Sequence, residues 1–158
     1  MASQKKITIT KEIYQESIER INTALNFEYS IMDELFTFIG TKSNRYYVWT
    51  AMAFTKTGKP FYYYRLSKYR NTDELFEFNL DLPKVKRVYC DEAFTYDKMY
   101  ADKAIQAKGA MTNIIENLNS QLRDKISYLV RRSKAHSKSP MWLDYRLARF
   151  FNAKNLSG

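Results

Sequence analysis

Three acidic residues are spaced through the chain in a way that would suit one catalytic site. Asp33 lies in an apolar run, Asp91 ends a second short apolar run, and Glu116 lies in a later amphipathic segment. Three carboxylates in one cleft would repel one another unless bound cations offset their charge. The chemistry that such a site could support is binding of a divalent cation between the carboxylates.

The simpler interpretation is that these acids are ordinary solvated charges, as most Asp and Glu residues are. Asp73 and Glu74 show that an acidic pair need not be catalytic. This pair follows Asn71 and Thr72 and is explained by the favourable effect of negative charge at a helix start. The joint placement of Asp33, Asp91 and Glu116 on the predicted elements is what favours a site.

The balance of charge favours a polyanion as partner. The 158 residues include 26 Lys and Arg against 17 Asp and Glu, which gives a formal net charge of +9. Such an excess makes nucleic acid the leading candidate. The 45% of apolar residues and the low numbers of Gly and Pro argue against a disordered or fibrous chain. We therefore expect one compact globular domain.

Cysteine and histidine are too few for a zinc site or an internal disulfide. Cys90 and His136 are the single residues of their types. The basic N-terminus is not followed by the apolar core of a signal peptide, and no segment reaches the length of a membrane helix. These features predict a cytoplasmic protein.

The first half of the chain predicts one helix followed by three strands. An amphipathic helix is expected over residues 9–26, capped by Thr10, with an apolar face formed by Ile13, Ile18, Ile21 and Leu25. Aromatic and β-branched runs over 27–39, 46–55 and 61–66 predict strands. The short connections 40–44 and 57–60 predict antiparallel hairpins.

The second half predicts helices around one or two further strands. A helix starting at Asn71 or Thr72 should end before Pro83, and a fourth strand should cover 84–90. A helical stretch around 94–107 is expected, with a brief strand near 104–108. Long helices are expected over 112–132 and 140–151, separated by the basic segment 133–139.

This order of elements is typical of an α/β fold of the ribonuclease H-like type, in which a mixed sheet of three antiparallel and one or two parallel strands is flanked by helices. We expect an N-terminal helical extension over residues 1–26 and the ribonuclease H-like domain over 27–158. Fold order alone does not establish function.

Periodicity sorts the acids onto faces. Strand alternation puts Asp33 and Glu34 on opposite faces, so only one of them points into a given site. In the long helix, about 100° per residue places Asn119 and Arg123 within roughly 60° of Glu116. The opposite, apolar face is formed by Ile115, Leu118, Leu122, Ile126 and Leu129. A carboxylate with an amide and a guanidinium nearby suits a metal ligand beside a phosphate contact.

Several segments together resemble the catalytic domain of the transposases of the insertion-sequence-one family. The likeness spans about Met32 to Asn152, and 24 residues separate Asp91 from Glu116. It rests on Met32-Asp33-Glu34-Leu35-Phe36 with Gly40, on Asp91 with Phe94 and Tyr96, on Glu116 with Asn119, Leu122 and Arg123, and on Ser137-Lys138-Ser139. The sequence departs from the family pattern at Glu92, Ala93, Phe94 and Asn117.

The resemblance implies a DDE transposase whose three metal-binding catalytic acids are Asp33, Asp91 and Glu116. It implies two Mg²⁺ or Mn²⁺ ions, hydrolysis that frees a 3′-hydroxyl at the element's end, and strand transfer of that hydroxyl into target DNA. The partners it implies are double-stranded DNA, chromosomal or plasmid, and a second copy at synapsis. A separate zinc-ribbon or helix-turn-helix module would read the element ends. The expected DNA-binding residues are Asn119, Arg123, Arg131, Arg132, Lys134 and Lys138.

Two other functions fit the same sequence. A structure-selective nuclease on this fold would cleave junctions or hybrids without joining ends. A non-catalytic DNA-binding relic would keep the acids without binding metal. Aromatic residues in the strands could stack on bases, but aromatic side chains in strands more often form core and cross-strand pairs, so we leave them out of the predicted site.

Overall fold

The computed structural model describes residues 4–91, 100, 103–106, 109–132 and 139–156, without the side chains of 106 and 127–132. It contains the helices α1 (Gln4–Ala24), α2 (Thr72–Asp81), α3 (Ala110–Arg132) and α4 (Pro140–Leu156). The strands are β1 (Phe27–Phe38), β2 (Arg45–Thr55), β3 (Pro60–Ser67), β4 (Arg87–Cys90) and β5 (Ala104–Gln106). Among the described residues, no helix is long and apolar enough to cross a membrane.

The five strands form one mixed sheet in the order β3-β2-β1-β4-β5. β1, β2 and β3 are consecutive antiparallel neighbours, whereas β4 pairs parallel to β1 and β5 pairs parallel to β4. Glycines with positive φ lie in both hairpin turns, at Gly40 and Gly58. The mixed sheet predicted from the order of elements is confirmed.

Helices cover both faces of the central strands, which explains the long apolar run in β2. Val48 to Phe54 are all buried, so this strand lacks the alternation of a half-exposed strand. Leu75 and Phe78 of α2 belong to the core, as do Ile115, Leu118, Leu122 and Ile126 of α3. The predicted apolar face of α3 is therefore confirmed over the described side chains.

The N-terminal helix differs from its prediction. α1 begins at Gln4, so Thr10 lies inside the helix and is not its cap. Its buried face is built on Tyr14 and Ile18, while Ile13 is 52% exposed. The reason is a tertiary contact: α1 packs on α4 and β3, and the buried Tyr14 hydroxyl accepts a hydrogen bond from the Tyr64 N–H at 3.0 Å.

Other boundaries shift by a few residues. Asn71 is the cap of α2, as predicted, since its side chain accepts a hydrogen bond from the Glu74 N–H at 2.9 Å. β4 is shorter than expected and starts at Arg87, and α4 extends to Leu156. The brief fifth strand begins at Ala104 as predicted. Most of the helical stretch expected around 94–107 lies outside the described residues.

Candidate active site

The parallel pairing of β1 with β4 brings two of the three acids to the same level of the sheet. Ile31 pairs with Tyr89, so Asp33 and Asp91 each follow two residues later along neighbouring parallel strands. Asp91 directly follows the last residue of β4, the buried Cys90. Side chains at the carboxyl ends of parallel strands are well placed to bind ligands, because the chain leaves the sheet there.

The third acid reaches the same place from α3. Asp33, Asp91 and Glu116 line one cavity of about 160 Å³. The remaining residues that line it are Met32, Thr112 and Ile115. Strand β1, the end of strand β4 and the first turns of α3 thus bring together the three acids that the sequence singled out.

Asp33 is held by hydrogen bonds to both carboxylate oxygens. Oδ1 accepts from the Glu34 N–H at 2.8 Å, and Oδ2 accepts from the side-chain amide of Asn119 at 2.7 Å. Each oxygen accommodates more than one acceptor contact. The carboxylate is therefore oriented by the protein and still able to bind a cation.

A buried threonine on β2 completes this arrangement. Thr50 pairs with Asp33 across the antiparallel strands, and its hydroxyl donates to Oδ1 of Asn119 at 3.1 Å. The same hydroxyl lies 3.2 Å from the main-chain oxygen of Asp33. With Oδ1 facing a donor and Nδ2 facing a carboxylate, the amide of Asn119 has one favourable orientation.

The environment of Asp33 disfavours its ionised form. Burial raises the pKa of its carboxyl from the usual 3.8 to about 6. The Glu34 N–H lowers this pKa, the charges of Glu34 and Asp91 raise it, and Arg123 lowers it. A partly buried carboxylate beside another acid gains most from a neighbouring cation.

Glu34 belongs to a different surface, as strand alternation predicted. Its carboxylate forms an ion pair with Arg70 at 2.5 Å and does not line the cavity of the three acids. The acids at the start of α2 lie outside the cavity, as expected of charges that serve a helix start, and Glu74 forms an ion pair with Arg65 at 3.2 Å.

The predicted DNA-binding residues fall into three groups. Arg123 is exposed on α3, and its charge acts on Asp33. Arg131 and Arg132 lie in the last turn of α3, and Lys134 and Lys138 lie outside the described residues. Asn119 differs from its expected place on the polar face, because it is only 1% exposed and its amide contacts Asp33 and Thr50. This geometry offers DNA no direct contact with Asn119.

The sequence analysis did not identify Thr50, nor the role of Asn119 in orienting the Asp33 carboxylate. On the helical wheel, Asn119 lies at the border between the polar and apolar faces, where periodicity alone does not decide burial. Thr50 stands inside the apolar run of β2, and a polar residue buried in such a run must find a partner. That was the available signal.

The three carboxylates suit a hard divalent cation. Among the described residues that line the cavity, all the charged ligand atoms are oxygens, and none is a thiol or an imidazole. Within the described part of the chain, no three acidic, His or Cys side chains lie close enough together to hold a metal ion by themselves. Mg²⁺ fits such an open set, because it is commonly held by one or two carboxylates together with waters and substrate phosphates.

A larger cleft, of about 790 Å³, lies near the start of β1. Glu28 lines it, together with Lys56, Lys84 and Lys86, and Glu28 forms an ion pair with Lys86 at 3.4 Å. Size alone would make this cleft the candidate site. The smaller cavity carries the converging acids, so we assign the chemistry there.

A sequence profile described as IS1 transposase matches residues 28–157. The chain belongs to the IS1 transposase family. The match covers every element except α1 and includes all three acids of the cavity. No curated protein matches this IS1-family chain at a significant level.

A similar solved structure is a chain in the cryo-EM structure of the simian T-cell lymphotropic virus intasome in complex with PP2A regulatory subunit B56 gamma. The TM-score is 0.50 at 13% identity, over 80% of this chain and 49% of that chain. This chain therefore spans about half the length of that neighbour. At such low identity the likeness concerns the fold alone, and it agrees with the ribonuclease H-like mixed sheet of this IS1-family protein.

Proposed function

We propose that this protein is the catalytic domain of a DNA transposase that cleaves at the ends of its element and transfers the freed 3′-hydroxyl into target DNA. The observation that carries the proposal is the shared cavity of Asp33, Asp91 and Glu116 within the region that matches the family. Membership of the family supports a nucleic-acid-processing enzyme. The three acids that line one cavity support metal-assisted displacement at a phosphodiester as its reaction.

The protein's own contribution is to hold carboxylates where a phosphodiester would lie. Asn119 and the Glu34 N–H fix both oxygens of Asp33, while Asp91 and Glu116 approach from β4 and α3. Two divalent ions bound there would stabilise charge on the attacking and leaving oxygens of an in-line displacement. Asp33, Asp91 and Glu116 are the proposed ligands.

Arg123 is the described basic residue best placed for a phosphate beside the acids. It is exposed and belongs to the same helix as Glu116, and its charge reaches Asp33. A guanidinium suits phosphate oxygens because its planar donors bind two of them at once. We assign it to positioning the DNA backbone, which carries no sequence information by itself. Arg131, Arg132, Lys134 and Lys138 extend this proposal along the chain.

Sequence recognition and synapsis belong to parts that lie beyond this cavity. We propose that a zinc-ribbon or helix-turn-helix module supplies recognition of the element ends, and that two copies act together because two ends must be held. The family match begins at residue 28, so α1 is proposed as a helical addition to the domain that starts at Phe27.

The test of function is a strand-transfer assay with an oligonucleotide donor that already carries a free 3′-hydroxyl end, a supercoiled plasmid target and Mn²⁺. The account predicts joined products with the wild-type chain supplied with its end-binding module. Asp91→Asn and Glu116→Gln should give none. Asp73→Asn, an exposed acid at the start of α2, is the matched control and should join ends as the wild type does. Hydrolysis of DNA without joining would overturn transposition and indicate a nuclease.

A further inference from the structure

The hairpin of β1 and β2 extends past the acids. β1 pairs with β4 only from Tyr29 to Ile31, yet it continues to Phe38 before turning back into β2. At about 3.3 Å per residue, the strand ends roughly 17 Å beyond Asp33. The far end of this hairpin therefore lies beyond the acids, and strand alternation puts Phe36 and Phe38 on the face of β1 opposite to Asp33.

Aromatic rings with cations beside them collect at this end. The Arg45 guanidinium lies 4.5 Å from the ring centre of Phe36 and 5.7 Å from that of Phe38. The Lys68 ammonium lies 4.8 Å from the ring centre of Tyr46, which pairs with Thr37. We call this set of five residues the aromatic tip: Phe36, Phe38, Arg45, Tyr46 and Lys68.

Folding does not explain the exposure of the tip. Phe36 is 52% exposed in mid-strand, whereas Trp49 further along β2 is fully buried. Burying a Phe side chain contributes about 1.5–3 kcal/mol, and Phe36 gains little of that. A polar residue at position 36 would form the strand as well and keep its surface solvated.

The charge around the tip is positive. Residues 34–47 and 66–70 contain four basic residues, Lys42, Arg45, Lys68 and Arg70. They contain one acidic residue, Glu34, which forms an ion pair with Arg70. Two such tips brought together would oppose cations to cations, which disfavours a second copy as the occupant. The charge favours a polyanion.

We propose that the aromatic tip binds unpaired nucleotides of the DNA substrate, as a surface separate from the acid cavity. A base would stack on Phe36 and the guanidinium of Arg45, while Lys42 in the turn and Lys68 on the other face of the hairpin attract the phosphates. Paired bases inside a duplex are already stacked and expose only their edges, so an exposed ring suits a single strand. The inference rests on the proposed function, because it assigns a part of the same DNA substrate to a second surface.

The test is binding of the full chain to two fluorescent duplexes that differ only at one end. One is blunt, and the other carries a three-nucleotide overhang with 2-aminopurine in its centre. The wild type should bind the overhang duplex more tightly and change the 2-aminopurine emission. Phe36→Ala should lose affinity for the overhang roughly ten-fold and abolish that change, while Phe36→Trp should retain both.

The matched control is Phe76→Ala. Phe76 of α2 is also 52% exposed and lies outside the tip, so its loss should leave both duplexes bound as by the wild type. The proposal is overturned if Phe36→Ala binds the overhang like the wild type, or if it weakens the blunt duplex equally. It is also overturned if the substitution changes the sedimentation coefficient of the free protein and leaves DNA binding unaltered, since a second copy would then occupy the tip.

Failure of this inference is separable from failure of the proposed catalysis. The duplexes are titrated without divalent metal, and Mn²⁺ affinity is measured independently on the same variants. A wild type that shows no preference for the overhang but binds Mn²⁺ would contradict only the proposed role of the aromatic tip. A wild type that binds the overhang but not Mn²⁺ would contradict only the proposed metal site of the three acids.

Discussion

The side-chain amide of Asn119 donates to Oδ2 of Asp33 at 2.7 Å, which joins α3 to the carboxylate at the centre of the sheet. Helix α3 also carries Glu116, three residues earlier. A single helix therefore supplies one acid of the cavity and the hydrogen bond that orients another. Substitution of a group that orients a metal ligand typically costs about 10–100-fold in metal affinity.

Asn119→Ala should weaken Mn²⁺ binding by about ten-fold or more, because Asp33 loses the donor that fixes its orientation. The free energy of unfolding should fall by about 1–3 kcal/mol, since the buried hydrogen bonds of Asn119 to Asp33 and Thr50 are lost. Calorimetric titration and urea unfolding measure the two effects. Asn117→Ala is the control on the same helix, because Asn117 is exposed and should change neither. Unchanged Mn²⁺ affinity in Asn119→Ala would contradict the orienting role.

Thr50→Val keeps the shape of the buried side chain and removes only its hydroxyl. We expect a loss of about 1–2 kcal/mol in the free energy of unfolding, because Oδ1 of Asn119 is left without a donor. The double variant Thr50→Val with Asn119→Ala should lose less stability than the sum of the two single losses, since both substitutions remove the same hydrogen bond. A double-mutant cycle by urea unfolding measures this, and full additivity would show that the two side chains act independently.

The metal-free protein should lose stability as pH rises through the titration of Asp33. The pKa of this carboxyl is about 6 in the folded chain against 3.8 usually, so the folded state binds more protons between these values. Its contribution is fully present below about pH 4 and lost as pH passes about 6. We expect a loss of about 1–2 kcal/mol, less than the full shift implies because the carboxyl is partly exposed.

The check is urea unfolding with chelator at pH 4.5 and pH 7, for the wild type and Asp33→Asn. The difference in unfolding free energy between the two proteins should change with pH in the stated direction. Adding Mn²⁺ at pH 7 should restore stability to the wild type and not to the variant. A pH-independent difference would contradict the assigned cause.

Tyr14→Phe should destabilise the fold although it removes a single hydroxyl. That hydroxyl accepts the Tyr64 N–H at 3.0 Å, and its loss leaves a buried main-chain donor unpaired. We expect a cost of about 1–3 kcal/mol in urea unfolding. Tyr69→Phe is the control, since Tyr69 is 63% exposed. A neutral Tyr14→Phe would contradict the stabilising role assigned to this hydrogen bond.

Sequence patterns predicted those elements whose burial is periodic. The apolar face of α3 followed its repeat, and the parallel register of β4 with β1 brought Asp91 level with Asp33. The family resemblance pointed to the same acids.

The features that were wrong or missed depend on contacts between distant segments. Tyr14 replaces Ile13 at the core because its hydroxyl meets β3, and Asn119 is buried because Asp33 and Thr50 lie opposite it. The 52% exposure of Phe36 is a further feature that no local pattern near residue 36 predicts.

The most direct test of the central claim, that three acids form one metal-binding site, is calorimetric titration of Mn²⁺ into the full chain. Wild type, Asp33→Asn, Asp91→Asn and Glu116→Gln are compared, with Glu77→Gln of α2 as an exposed control. The titration is run in the presence of a DNA end with a free 3′-hydroxyl, because phosphate oxygens complete such sites. The account predicts binding by the wild type and the control, and loss of at least ten-fold in affinity in each of the other three. Absence of binding by the wild type with DNA present, or binding that survives in all three variants, would contradict it.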